Sequence, residues 1–460
     1  MRGFDLLATE ENIYTTFVND TIGRNADVIS FVSLLNSLEG GNVIALNARW
    51  GEGKTFFVKQ AKLVLEAFNS HYVNLEHREE IKIVWEKSKE KIDVQPFVTV
   101  YYDAWMNDND EDPVISLVLA ILQEIDGLMT LENDRGLLDI AGNVLECFTG
   151  RTVKGILNSL KGENPLESVK KAKDFESKIA MFFESILPER GNRMVVFIDE
   201  LDRCKPDYAI RLLERIKHYF GKEEITFVFL LNVDELQHTI RKFYGNEFDA
   251  CRYLDRFFDF RIELPKPDMR KFYYEIGMES GELVYEMVCK QVAEMFNMGL
   301  REIAKFYGMA KAVAYKPTHR EHNQWLFAFP DGEGRRFCLF CIVPLMIGLS
   351  MIDRAKYNNF VQGKDDSPLI ELFNDTNMSL SLCSCLLNEH EAFSNLNSNL
   401  KLTVVKKEDK LKEVYNAIFV KKYDSRSYET SIGKVSFGDR TKNELLKVIS
   451  GLSEYSDYEI

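Results

Sequence analysis

Residues 45–60 read ALNARWGEGKTFFVKQ, and an apolar run, NVIAL (42–46), leads into them. A buried strand that stops at a turn carrying Gly51, Gly53, Lys54 and Thr55, with an amphipathic helix straight after, is the layout of a phosphate-binding loop. Glycines let backbone N–H groups turn inward, and the following helix aims its positive N-terminal end at the anion. In that layout Lys54 reaches the β- and γ-phosphates of a bound nucleotide and the Thr55 hydroxyl ligates Mg²⁺. The full pattern is G-x-x-x-x-G-K-S/T, and Ala48 stands at its first glycine. The competing reading is a strand–turn–helix with an exposed lysine, and the rest of the chain has to decide between the two.

Working outward, four more apolar runs follow, each ending in a polar or turn-forming stretch: PFVTVYY (96–102), RMVVFI (193–198), ITFVFLLN (225–232) and FFDFRIELP (257–265). Helical patterns lie between them, as in NADVISFVSLLNSL (25–38), TFFVKQAKLVLEAF (55–68) and PVISLVLAILQEI (113–125). Strands alternating with helices predict an α/β fold, a parallel sheet flanked by helices, over residues 1–268, and the phosphate-binding loop after its first strand makes that sheet the P-loop NTPase kind. Residues 140–192 read as a helical insertion, 269–335 as a helical lid, and 336–460 as a mainly helical accessory or partner region in which no chemistry can be placed.

RMVVFIDELDRC (193–204) sets Asp199 and Glu200 at the end of a strand, which in a parallel sheet is the edge beside the phosphate loop. Asp199 is expected to hold the Mg²⁺ shell, and Glu200 to act as the general base on the attacking water. Asn232, at the end of the fourth run, is expected to orient that water or sense the γ-phosphate, against the simpler reading of a turn-forming Asn. Asp202 and Arg203 contact the metal, contact a neighbouring subunit, or form a local ion pair.

With these residues in place, the chain resembles the KAP family of P-loop NTPases, on the STAND/AAA+ side of that superfamily. The resemblance covers residues 15–330 and rests on NDTIGR (19–24), RWGEGKT (49–55), VYYDAWMND (100–108), VVFIDELDRC (195–204), LLNVD (230–234) and YLDRFFDFRIELP (253–265). It implies that ATP is bound by Trp50, Gly51, Glu52, Gly53, Lys54, Thr55 and Phe56. It also implies that Ile22, Gly23 and Arg24 line the adenine and ribose, and that Asp103 and Trp105 sit next to the nucleotide-bearing core. KPTHREHNQWL (316–326) looks like the family's lid segment, with Arg320 as a γ-phosphate sensor. Machines of this kind often complete the site with a neighbour's arginine, for which Arg252 and Arg256 are the candidates. The function implied is a Mg²⁺-dependent ATP hydrolase acting as an ATP-driven switch or assembly motor, in antiviral (phage exclusion) defence. It would act as a homo-oligomer with a separate effector or partner protein. The alternative is a slowly hydrolysing, nucleotide-gated scaffold that signals to a separate effector.

Composition sets the outer bounds. The formal net charge of −14 argues against a whole-surface nucleic-acid binder, leaving a local basic groove open. The run VVKKEDKLK reads as a solvated helix face, and no carboxylate–lysine nuclease pattern accompanies it. Acidic residues in MRGFDLLATEENIYTTF leave no apolar core for export, and eight irregularly spaced cysteines suit a reducing interior, so a cytoplasmic location is expected. FCLFCIVPLMIGLSMI (337–352) is uncharged but short for a span, and Pro344 and Gly348 interrupt it, so it reads as buried core. Many KAP members carry spans between the two nucleotide motifs, whereas residues 140–192 are too charged for one, so no integral membrane segment is expected. Cys338, Cys341, Cys383 and Cys385 have the count for a zinc site but read better as core packing.

Overall fold

The computed structural model describes residues 7–73, 75–88, 93–110, 112–128, 187, 190–219, 224–278, 284–319, 332–374, 382–393, 403–423 and 428–450. Nearly all of the expected 140–192 insertion, together with Arg320, lies outside them. The chain divides into two compact units, Asp5–Glu275 and Ile276–Ile460.

The first unit is built on five parallel strands, β1 (Val43–Asn47), β2 (Phe97–Asp103), β3 (Arg193–Asp199), β4 (Ile225–Leu231) and β5 (Phe260–Glu263). Their order across the sheet is β2-β3-β4-β1-β5. Four of the strands are mostly apolar on both faces because helices cover each side, with Asn47, Asp103 and Asp199 at the carboxyl ends of β1, β2 and β3. Val195 and Phe197 of β3 join Ile44, Leu46, Val228 and Leu230 against α1 (Glu10–Val18), α2 (Asn25–Ser37), α3 (Lys54–Phe68) and α4 (Arg78–Glu86). Met194, Val196 and Ile198 face the other way, with Phe227 and Phe229, onto α5 (Pro113–Leu128), α6 (Pro206–Tyr219) and α7 (Val233–Tyr244). β5 departs from the apolar reading of its run. It is an edge strand with three of its four residues exposed, including Phe260.

In register, Asp103 lies opposite Asp199, and Asp199 opposite Leu230. The carboxyl ends of β1 to β4 therefore finish along one edge. Because successive strand residues alternate faces, Asp199 shares the α3 side with Phe197.

The second unit is mainly helical, with a parallel strand pair (Glu391–Phe393 and Thr403–Val405) and an antiparallel pair (Glu429–Ile432 and Val435–Gly438). Helix runs continuously from Gly332 to Ile352 and is deeply buried over Phe337–Leu349. Pro344 does not interrupt it as expected: residues Cys338–Ile342 form a π-turn, which accommodates the ring and the missing N–H. Gly348 is a packing residue there, since a Cβ would fall 2.6 Å from Val292 Cγ1. Among the described residues no helix is long and apolar enough to cross a membrane. Cys338, Cys341 and Cys383 are fully buried, and no group of three or more His, Cys, Asp or Glu among the described residues is placed to hold a metal.

Candidate functional site

The loop between β1 and α3 is shaped by two glycines. Gly51 and Gly53 sit at φ +81° and +85°, in left-handed backbone that side chains resist. Ala48 is not among the left-handed positions, its N–H donates to the Leu231 carbonyl at 3.1 Å, and its side chain packs into the α3-side core. The first position of the motif therefore has no need of glycine in this chain. Helix α3 begins at Lys54, directly on the loop.

The two distant segments meet. The Thr55 hydroxyl, at the first turn of α3, donates to Asp199 Oδ2 at 2.5 Å. The other carboxylate oxygen, Oδ1, accepts from the Glu200 N–H at 2.8 Å. Lys54 is 9% exposed and its ammonium donates to the Ala48 carbonyl at 2.6 Å and the Arg49 carbonyl at 3.2 Å. An ammonium has three N–H donors, so one remains for a further acceptor.

Burial dominates the electrostatics. It pushes the Lys54 ammonium below its ordinary value, opposed by Asp202, Asp199, Glu200 and Glu52. It raises Asp199, against the hydrogen bonds from Thr55, Tyr101 and the Glu200 N–H. Glu200 is pushed up to about 6, first by burial and then by Asp199, with Arg203 pulling the other way. The Thr55 hydroxyl and the Asp199 carboxylate are hard oxygen donors side by side, and the two left-handed glycines lead straight into the N-terminus of α3. That donor set fits Mg²⁺, and the loop fits a phosphate chain.

The remaining expected residues are placed as follows. Glu200 has left-handed backbone (φ +61°), and its carboxylate pairs with Arg203 Nε at 2.5 Å. Asn232 caps α7 without a side-chain capping bond. Glu52 and Phe56 are half-buried on the loop and first turn, and Trp50 is exposed. Arg24, expected against the ribose, is 2% exposed. Its guanidinium donates to the Glu52 carbonyl at 3.1 Å and the Pro265 carbonyl at 2.6 Å. The structure thus makes Arg24 a brace between the phosphate loop and the chain leaving β5. Ile22 accepts the Asp268 N–H at 3.0 Å, and Gly23 (φ +67°) lies so close that a Cβ would stand 2.7 Å from Asp268 Cβ. Arg252 is highly exposed and pairs with Asp249 on its own turn at 3.4 Å, and Arg256 is exposed as well.

Two residues were missed. Tyr101 donates its hydroxyl to Asp199 Oδ2 at 2.7 Å, the same oxygen that Thr55 reaches, with Lys59 Nζ 4.9 Å from its ring centre. The available signal was strand periodicity: Tyr101 lies two residues before Asp103 and on its face of β2. Asn47, the last residue of β1, accepts from the Val233 N–H at 2.9 Å and donates to both oxygens of Glu263 at 2.8 and 2.9 Å. It fixes the backbone next to Asn232, and only its position at a strand end could have flagged it.

Known proteins supply the context. An uncharacterized protein of Methanocaldococcus jannaschii is 24% identical over 172 residues, covering 28% of this chain and 88% of that one. The Aeropyrum pernix ORC2 protein, solved in ADPNP–ADP complexes, aligns over 94% of both chains at 11% identity, but its TM-score of 0.31 is too low to bear on fold or function. The model of the KAP family P-loop domain matches residues 24–279, more than half of the chain, and the chain therefore belongs to the KAP family of P-loop NTPases.

Proposed function

We propose that this chain is a Mg²⁺-dependent ATP hydrolase that works as an ATP-driven switch or assembly motor. The observation that carries the reading is the 2.5 Å contact between the Thr55 hydroxyl and Asp199, directly beside the phosphate loop. A bound magnesium ion would neutralise charge on the β- and γ-phosphoryl oxygens. Thr55 and Asp199 would hold it, Lys54 would cover the phosphates with its remaining N–H, and Gly51 to Thr55 would present backbone donors.

Glu200 would take a proton from the attacking water as the bond to the β–γ bridging oxygen breaks, with Asn232 orienting that water. Arg252 and Arg256 are exposed near the start of β5, which suits a group offered to a neighbouring copy. Placement in antiviral defence follows from the family resemblance, and a phage-plating assay addresses it.

Turnover of ATP by purified protein should require Mg²⁺. Lys54→Ala should lose nucleotide binding, and Glu200→Gln should bind nucleotide without turning it over. Unchanged binding by Lys54→Ala would refute the phosphate-loop assignment. If an arginine is supplied by a neighbour, Lys54→Ala subunits mixed with Arg252→Ala or Arg256→Ala subunits should regain activity that neither has alone.

A further inference from the structure

Three stretches converge beside the site. Trp50 lies on the phosphate loop, Trp105 follows β2, and Asp202 and Arg203 follow β3. The Trp50 indole N–H donates to Asp202 Oδ2 at 2.6 Å. The Arg203 guanidinium lies 5.8 Å from the Trp50 ring centre and 5.6 Å from that of Trp105, while its Nε meets the Glu200 carboxylate at 2.5 Å. Both tryptophans are about half exposed, at 46% and 51%, a burden for which core packing gives no reason.

A guanidinium suits this place because its planar face rests on an indole while its edge holds a carboxylate. A lysine ammonium is a point charge and does not do both. Glu200 also needs such a partner: its backbone is held in the left-handed region, and Asp103, Asp199 and Asp202 surround it with like charge. Trp50 directly precedes Gly51, so any resetting of the loop around a phosphate chain moves the indole that touches both Asp202 and Arg203.

We propose that Arg203, held by Trp50 and Trp105, is the positioning residue that fixes the Glu200 carboxylate and couples its placement to occupancy of the phosphate loop. This rests on the ATPase reading above, and the test separates the two. Arg203→Gln and Arg203→Lys are compared with the unaltered protein and with Glu200→Gln, in steady-state ATP turnover and in tryptophan emission on adding ADP.

Arg203→Gln is expected to lower kcat by about tenfold or more while changing KM by less than about threefold. Arg203→Lys should recover little of it, and the Glu200→Gln/Arg203→Gln double variant should be no slower than Glu200→Gln alone. ADP should change the emission of the unaltered protein more than that of Arg203→Gln, in which Trp50 still moves with the loop but no guanidinium lies against it. An Arg203→Gln protein with full or raised kcat, full recovery by lysine, or additive losses would overturn the inference. If the unaltered protein shows no turnover above Lys54→Ala, the ATPase reading fails on its own. The emission arm then decides the coupling: a larger change in the protein with Arg203 supports it, and an equal change or none overturns it.

Discussion

Replacing Glu200 by Gln should make the nucleotide-free protein more stable while abolishing turnover. The Glu200 carboxyl is pushed from 4.5 up to about 6, so folding favours its protonated form. The sign follows from linkage. Between those two values the native state binds more protons than the unfolded chain, so this group's contribution to stability falls as pH rises and levels off above about 6. At about 1.4 kcal/mol for each tenfold change in proton affinity, the ionised side chain costs the fold about 2 kcal/mol at pH 7.5. Glu200 is 24% exposed, so solvent screening makes that an upper figure. The pull of Arg203 is already contained in it. Gln keeps the shape and an acceptor for Arg203 and removes the charge, so the gain should be about 1–2 kcal/mol at pH 7.5 and under about 1 kcal/mol at pH 5. Urea unfolding in EDTA, followed by tryptophan fluorescence, measures it, since Trp50, Trp85 and Trp105 all lie in the unit containing the site. A Gln variant that is less stable at pH 7.5, or whose gain does not change between pH 5 and 7.5, would refute the claim that burial and like charge strain this carboxylate.

Ala48→Gly should leave nucleotide affinity unchanged and cost about 0.5–1 kcal/mol in chain entropy, because Ala48 needs no left-handed backbone; tighter nucleotide binding by the glycine variant would show that the loop is impaired as it stands. Arg24→Ala should cost about 2–4 kcal/mol in urea unfolding, since it strands the carbonyls of Glu52 and Pro265 and opens a buried space; a loss under about 0.5 kcal/mol would remove its role as a brace. Tyr101→Phe takes one charge-assisted hydrogen bond from Asp199 and should weaken Mn²⁺ binding in the presence of ADP, followed by electron paramagnetic resonance, by about tenfold or more; an unchanged Mn²⁺ titration would exclude a part in holding that carboxylate.

What the sequence makes legible and what it hides divide along one physical line. Continuous apolar runs mark β1 to β4 because helices cover both faces of the sheet, and that covering is written locally in each strand. The meeting of Thr55 with Asp199 is legible because each sits at a fixed offset from the end of its own strand. Tyr101 and Asn47 are not, because their partners are set by which strands lie side by side. The order β2-β3-β4-β1-β5 brings Tyr101 next to Asp199, 98 positions away, and Asn47 next to Glu263, 216 positions away. Period-two alternation gives the face of a side chain but never its neighbour across the sheet.

The bracing contacts of Arg24 are hidden for a related reason. The family resemblance sets it against the adenine and ribose, and nothing in NDTIGR shows that its guanidinium also ties the Glu52 carbonyl to that of Pro265, 241 positions away. Trp50, Trp105 and Arg203 follow the same logic at its extreme. Trp50 and Trp105 read singly as neighbours of the nucleotide, and Arg203 as a metal contact, a subunit contact or a local ion pair, since no one segment contains the other two. Their meaning lies in a contact that exists only once three strand ends are aligned on one edge, and that alignment is what makes an arginine on the turn after β3 answer to a tryptophan on the phosphate loop.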